Sequence, residues 1–213
     1  MRITDERYHR DRLRYDLAVR MIRHEARTCT IRNWTSLSDD RIRRLFKTYV
    51  EGATPEPVRR HRGKSPQQAG YFLRTQATQI EGTLLATILG SSGLLSAPCT
   101  RTGGCRLEFG TRFCDAYETY LQLSRHSTVS FEHAFLLLQA LDRGEEICLW
   151  VCPRCIGPFL RDALAVDQRA CPLCRIKRHS PGRAARRGFA VPRHLSLGSQ
   201  LVPAGDLQVR LID

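Results

Sequence analysis

Cys152-Pro153-Arg154-Cys155 and Cys171-Pro172-Leu173-Cys174 place two CxxC pairs on either side of a 15-residue spacer. A tetrahedral ion takes two sulfur ligands from each of two tight turns, and this spacing fits a four-cysteine site. Two intervening residues let paired sulfurs converge on one ion while backbone amides point at them. The proline after the first cysteine of each pair fixes the turn, and Gly157 frees the chain beyond the first pair. Four thiolates fill the coordination sphere and leave no position for a reactive water. The expected role is therefore structural, with one Zn2+ per chain at Cys152, Cys155, Cys171 and Cys174. Iron suits the same sulfurs; zinc is preferred as the redox-inert structural ion. Two matched CPxC units without a βαβ context argue against a thiol redox pair, and a reducing compartment argues against disulfides. Cys148 reads as strand packing or a substitute ligand, while Cys99, Cys105 and Cys114 lack companion histidines at ligand spacing.

Positive charge is the second feature that could do chemistry. The net charge is +13, yet residues 65–167 carry only 8 Lys+Arg against 10 Asp+Glu, so the excess lies at the two ends. No acidic residue occurs between Gln168 and Gly205. Arg154, Arg169 and Arg175 can balance the −2 formal charge of a four-thiolate zinc centre. Lys177, Arg178, Arg183, Arg186, Arg187 and Arg193 extend beyond that need, and nucleic-acid phosphates are the simpler counter-charge; a solvated tail is the other reading. Pro181, Gly182 and Gly188 suggest an arm that orders on binding.

A helix-turn-helix is expected between about residues 20 and 50. Arg41, Arg43, Arg44 and Lys47 would lie on its polar side, away from Ile42, Leu45 and Phe46; the basic surface of an ordinary helical hairpin has the same pattern. Catalytic templates are missing: His24-Glu25-Ala26-Arg27-Thr28 lacks the second histidine of HExxH, and no GxSxG, GxxxxGK or GxGxxG occurs. The chain does not read as an enzyme, and no small-molecule substrate is expected.

The elements that must position these groups are mostly helices. Residues 11–32 read as one helix with Leu13, Leu17, Met21 and Ile22 on its stripe. Asp39–Val50 follows, capped by Ser38, with Ile42, Leu45, Phe46, Tyr49 and Val50 at i, i+3, i+4, i+7, i+8. Thr54–Pro66 has linker composition. Ser65-Pro66 then opens a helix striped by Leu73, Ala77, Ile80, Leu84 and Ile88 that ends at Gly90. A loop to about Gly110 precedes a helix with Phe113, Tyr117, Tyr120 and Leu121. Another, capped by Ser130, carries Phe131, Ala134, Phe135, Leu138 and Leu141 up to Gly144. The helices that carry Phe113, Tyr117, Tyr120, Phe131 and Phe135 are expected to need a partner surface.

After Gly144 the period changes, and Ile147–Val151 reads as a short strand. The expected architecture is mainly α: a multi-helix body over 1–144, a small zinc-ribbon-like region over 145–180, and a basic, partly flexible C-terminal arm over 181–213. Residues 145–180 are too few to bury an independent core, whereas structural zinc contributes on the order of 10–16 kcal/mol to such a unit. With 213 residues, 42% hydrophobic and 26% charged, the composition is globular rather than disordered or fibrous. Gly82–Thr100, the longest uncharged stretch, is too polar to span a bilayer, so no membrane partner is expected. Charges in the first seven residues leave no room for a secretory leader, and a cytoplasmic location is expected.

Several segments in combination resemble the FlhC family, the C subunit of the bacterial flagellar master transcriptional regulator. They are Asp16-Leu17-Ala18 through Glu25-Ala26-Arg27, Arg41 to Lys47, Cys114 to Leu121, Phe131 to Phe135, and the four cysteines with the basic arm. The resemblance covers roughly residues 16–190. It implies a helical zinc protein that joins FlhD in a hetero-oligomer, contacts promoter DNA and activates flagellar class II genes with RNA polymerase; the zinc ligands carry over onto Cys152, Cys155, Cys171 and Cys174. The chain departs from the family in its extended N-terminus, its Cys99–Cys105 loop and its tail after Phe189. An interaction module for acidic protein or RNA, without sequence-specific DNA binding, is the alternative.

Overall fold

The computed structural model describes residues 3–50, 58–61, 63–95, 103–124, 127–166 and 170–179, and it is mainly helical. The segment read as one helix over 11–32 is two. Helix α1 (Ile3–Arg23) ends where Glu25 enters the left-handed region at φ 60, and α2 (Thr28–Thr35) restarts in a new direction. The reason is tertiary. Arg27, at the α2 N-cap, makes no side-chain cap; instead the buried Glu132 carboxylate, far along the chain, accepts from the Arg27 N–H at 2.8 Å and the Thr30 hydroxyl at 3.1 Å. Leu13, placed on the apolar stripe by its spacing, is 45% exposed, and the burial on α1 begins at Leu17.

Helix α3 (Asp39–Leu45) starts as expected at Ser38, whose hydroxyl accepts from the Arg41 N–H at 3.5 Å, and continues as a π-helical turn over Phe46–Val50. Only Ser36, Leu37 and Ser38 separate α2 from α3, with Ser36 left-handed at φ 58. Helices α1, α2 and α3 pack against one another around Met21, Ile22, Ile31 and Ile42. The described part of the Thr54–Pro66 segment is tied to this unit. Arg59 N–H and His61 Nε2 lie 3.1 and 2.9 Å from the two Glu25 carboxylate oxygens, and Arg27 Nη1 donates to the Gly63 carbonyl at 2.7 Å.

Ser65-Pro66 does not open a helix. A 3-10 turn over Ala69–Leu73 comes first, and α4 (Gln76–Ser91) is capped by Thr75, whose hydroxyl and backbone exchange hydrogen bonds with Thr78 at 3.1 and 3.2 Å. The later start changes which face is buried: Gln79, Gly82, Leu85, Ala86, Ile88 and Leu89 point inward, while Ala77 is exposed and Ile80 and Leu84 are only half-buried. Because α4 scatters Gln, Thr and Glu among its apolar residues without one clear apolar face, its neighbours set its rotation, and the 3.6-residue period does not.

Helix α5 (Gly103–Leu123) begins before the expected loop end at Gly110. That glycine lies inside the helix at a point where the backbone is approached closely, which leaves no room for a side chain: a Cβ would stand 2.9 Å from Leu17 Cδ2 and 3.3 Å from Trp34 Cε3. Helix α6 (Phe131–Arg143) keeps its expected bounds between Ser130 and the left-handed Gly144. Phe113, Tyr117, Tyr120 and Phe131 are buried in the chain's own core and pack among Trp34, Phe109 and Phe135, so these side chains are covered within the chain.

Strand β1 (Ile147–Val151) pairs antiparallel with β2 (Pro158–Asp162), Ile147 opposite Asp162 and Val151 opposite Pro158, and α7 (Pro172–His179) follows. Ile147 and Leu160 enter the same core as the helices, while Cys152, Phe159 and Cys171 make a small second cluster. The described residues all belong to one compact unit within residues 1–180. The arm expected over 181–213, the 51–57 part of the linker, and Cys99 lie outside the described residues. None of the described helices is long and apolar enough to cross a membrane.

Candidate metal centre and the cationic helices

The β1–β2 hairpin turn carries the first pair of cysteines. Cys152 N–H donates to the Gly157 carbonyl and Ile156 N–H to the Cys152 carbonyl, both at 2.9 Å, which folds residues 152–157 into a knuckle around the Cys152 sulfur. The residue that turns the chain is Ile156, at φ 59, and not Gly157 as its type suggested. A β-branched residue in that region is strained. Its side chain is 80% exposed, so no packing contact offsets the strain.

The second pair is built on a helix start. Pro172 occupies the first position of α7, where its missing N–H costs nothing, and Cys171 stands at the cap with its sulfur accepting from the Cys174 N–H at 3.5 Å. Burial, with the neighbouring Cys155 and Cys152 sulfurs, raises the Cys171 thiol above its ordinary value, against the opposing pull of the Cys174 N–H.

The four Sγ atoms all lie within 4.8 Å of one another. Cys152 and Cys174 are 4.0 Å apart and Cys155 and Cys171 3.6 Å, far beyond the roughly 2.05 Å of a disulfide. A regular tetrahedron with metal–sulfur bonds of about 2.3 Å has edges of about 3.8 Å, which these two distances bracket. Cys152 and Cys171 are buried, Cys174 half-buried and Cys155 exposed at the rim. The Cys152 sulfur accepts from the N–H groups of Cys171 at 3.3 Å and Arg154 at 3.5 Å. Burial opposes its ionisation, but these donors and that of Cys155 outweigh burial and hold the thiol down to about 6. Neighbouring sulfurs of Cys155 and Cys171 push Cys174 the other way, up to about 12. A cation at the centre relieves that crowding; the cluster can hold a metal ion.

No protein-family model and no curated protein matches the chain. The functional reading therefore rests on the residues themselves.

What holds the knuckles against the body is a contact that the sequence did not announce. Gln79 of α4, 8% exposed, donates from Nε2 to the Leu160 carbonyl at 2.6 Å and accepts through Oε1 from Arg175 Nη2 at 3.1 Å. Thr83, one turn on, accepts from the Leu160 N–H at 3.0 Å. Gly82 between them lets β2 approach: a Cβ there would stand 2.8 Å from Leu160 Cδ1 and 2.7 Å from Phe72 Cδ1. The one visible signal was a glutamine and a glycine three apart inside an apolar helix. Arg175, assigned by charge to the thiolates, thus turns its guanidinium to α4, and Arg154 reaches the cluster through its backbone N–H.

Of the cations singled out by sequence, Arg41, Arg43 and Arg44 are exposed on α3, as is Lys47 in the π-helical turn. Arg43 pairs with Asp40 at 2.8 Å; Arg41, Arg44 and Lys47 form no ion pair among the described residues. The backbone of Lys177 and Arg178 belongs to α7, which packs on α4, whereas α3 packs on α1 and α2. The two cationic groups are carried by different parts of the body. Arg183, Arg186 and Arg187 lie outside the described residues.

Proposed function

We propose that the chain is a DNA-binding regulatory subunit of FlhC type, non-enzymatic, with a structural zinc ion at Cys152, Cys155, Cys171 and Cys174. The observation that carries the reading is the α2–turn–α3 unit: two short helices, a three-residue turn, and an exposed second helix with Arg41 and Arg44 free of ion pairs among the described residues. In helix-turn-helix proteins the second helix lies in the major groove with its N-terminal part at the base edges. Arg41, Arg43 and Arg44 are the side chains so placed on α3. Lys177, Arg178, Arg183, Arg186 and Arg187 supply phosphate contacts that fix register and carry no sequence information.

Zinc is preferred to iron because four thiolates closed around a redox-inert ion make a purely structural site. Its role is to fold residues 152–174 and so fix the start of α7, from which the basic arm departs. The resemblance supplies the rest: promoter duplex as ligand, an FlhD-like helical subunit as partner in a hetero-oligomer, RNA polymerase as the machine recruited, and the cytoplasm as the place. The test is binding of the full chain, alone and co-expressed with an FlhD-like subunit, to class II promoter and scrambled duplexes over a salt series. Promoter preference supports the reading; equal affinity for RNA and both duplexes, or no binding, overturns it.

A further inference from the structure

Residues 58–61, 63 and 64 lie in a stretch of linker composition, yet the fold holds them in place. Glu25, in a left-handed conformation that a non-glycine residue rarely adopts, directs one carboxylate oxygen to the Arg59 N–H at 3.1 Å and the other to His61 Nε2 at 2.9 Å. Arg27 adds a hydrogen bond to the Gly63 carbonyl at 2.7 Å. Backbone and imidazole groups satisfy these contacts, so the cationic side chains are not consumed. Arg59, Arg60 and Lys64 are exposed and form no ion pair among the described residues. Arg59 and Arg60 share a crevice with Ile31 of α2, Ile42 of α3 and Phe46, and the Arg60 guanidinium lies 6.0 Å from the Phe46 ring centroid.

We propose that Arg59, Arg60 and Lys64 are phosphate-contacting cations beside the helix-turn-helix, a strap that grips the backbone of the duplex that α3 enters, with Glu25 as the positioning residue that pins the Arg59–His61 part of it. The proposal rests on the DNA-binding reading above. Three pinned cations beside the helix pair, without ion pairs among the described residues, suit a B-form duplex, which presents a phosphate charge about every 1.7 Å along its axis. These contacts add affinity and orientation and leave base preference to α3.

The experiment compares the wild-type full chain with R59A/R60A/K64A, R59K/R60K and Glu25→Gln on promoter, scrambled and A-form RNA duplexes over a salt series. Three lost phosphate contacts weaken both DNA duplexes alike, about 10- to 100-fold at 0.15 M salt, and flatten the log–log slope by up to about 2.7. The lysine variant, which keeps the charges, binds within about threefold of wild type. Glu25→Gln weakens both duplexes with the cations still present. A wild-type chain that binds duplex DNA while R59A/R60A/K64A matches it in affinity and slope overturns the strap alone. A wild-type chain that binds no DNA duplex overturns the functional reading and the strap with it. Loss confined to the promoter, or tighter binding to RNA than to DNA, also overturns the proposal.

Discussion

The side-chain amide of Gln79 is hydrogen-bonded to the Leu160 carbonyl at 2.6 Å, across 81 residues of sequence. Through that one contact, backed by Arg175 on the other end of the same amide, both the hairpin that carries Cys152 and Cys155 and the helix that carries Cys174 are fastened to α4. A four-cysteine region that is too small to bury its own core thereby shares the core of the helical body.

Gln79→Ala leaves the buried Leu160 carbonyl and Arg175 without their partner, which costs about 1–3 kcal/mol. Urea unfolding followed by circular dichroism measures the loss. Limited proteolysis reports early cleavage within 147–162 if the hairpin detaches first.

Gly82→Ala tests the close approach of β2. A helix-interior Gly→Ala change gains up to about 1 kcal/mol in propensity, and here a Cβ at 2.7 Å from Phe72 and 2.8 Å from Leu160 outweighs it. The expected net effect is a destabilisation of about 1–2 kcal/mol, as for overpacked cores. A variant as stable as wild type contradicts the packing described.

One zinc ion per chain is expected by elemental analysis of protein purified under reducing conditions. Cys155→Ser and Cys171→Ser lose it and make residues 145–180 protease-sensitive, because metal-binding energy is folding energy in so small a unit. Iron in place of zinc, or no stoichiometric metal, contradicts the assignment.

Acid weakens the joint between α1 and α5. Arg20 donates to both Glu118 oxygens at 2.7 Å, and His24 lies 2.7 Å from one of them. The Arg20 hydrogen bonds, against the opposing effect of burial and with help from His24, hold the Glu118 carboxyl down to about 2. A carboxylate depressed in the folded state adds stability above its unfolded value near 4.5, and that stability is lost as pH falls from there towards 2. Glu118→Gln removes on the order of 1–2 kcal/mol at neutral pH, a figure reduced for the partial exposure of the pair. It also flattens the fall in stability between about pH 5 and 2, which thermal melts over a pH series detect.

The arm and α3 have separable signatures. Arg183, Arg186 and Arg187 replaced by Ala weaken binding to all duplexes and flatten the salt slope by up to about three units. Arg41, Arg43 and Arg44 replaced by Ala erode the promoter-to-scrambled ratio, at roughly 1–3 kcal/mol per lost base-edge contact. An arm variant indistinguishable from wild type makes the basic tail a solvated extension.

The sequence by itself determined the local features whose cause is local. The two CPxC pairs specify their own knuckles. Ser38 and Ser130 start helices because a hydroxyl at the cap needs only the next turn, and Gly144 ends α6 because the left-handed cap needs only a missing Cβ. The mainly helical body and the strand at Ile147 were legible for the same reason. Tertiary structure decided what depends on residues far apart. The break after Arg23 needs Glu132 to cap α2 from α6, and the use of Gly110 as a close-contact point within α5, where its type suggested a loop end, depends on Leu17 and Trp34 packing against it. The rotation of α4 was not legible because a helix with polar and apolar residues interspersed has no preferred face until β2 and its neighbours choose one. Arg59 and Gly63 fell in a stretch of linker composition because what holds them is Glu25 and Arg27, groups 34 and 36 residues away from the backbone atoms they bind.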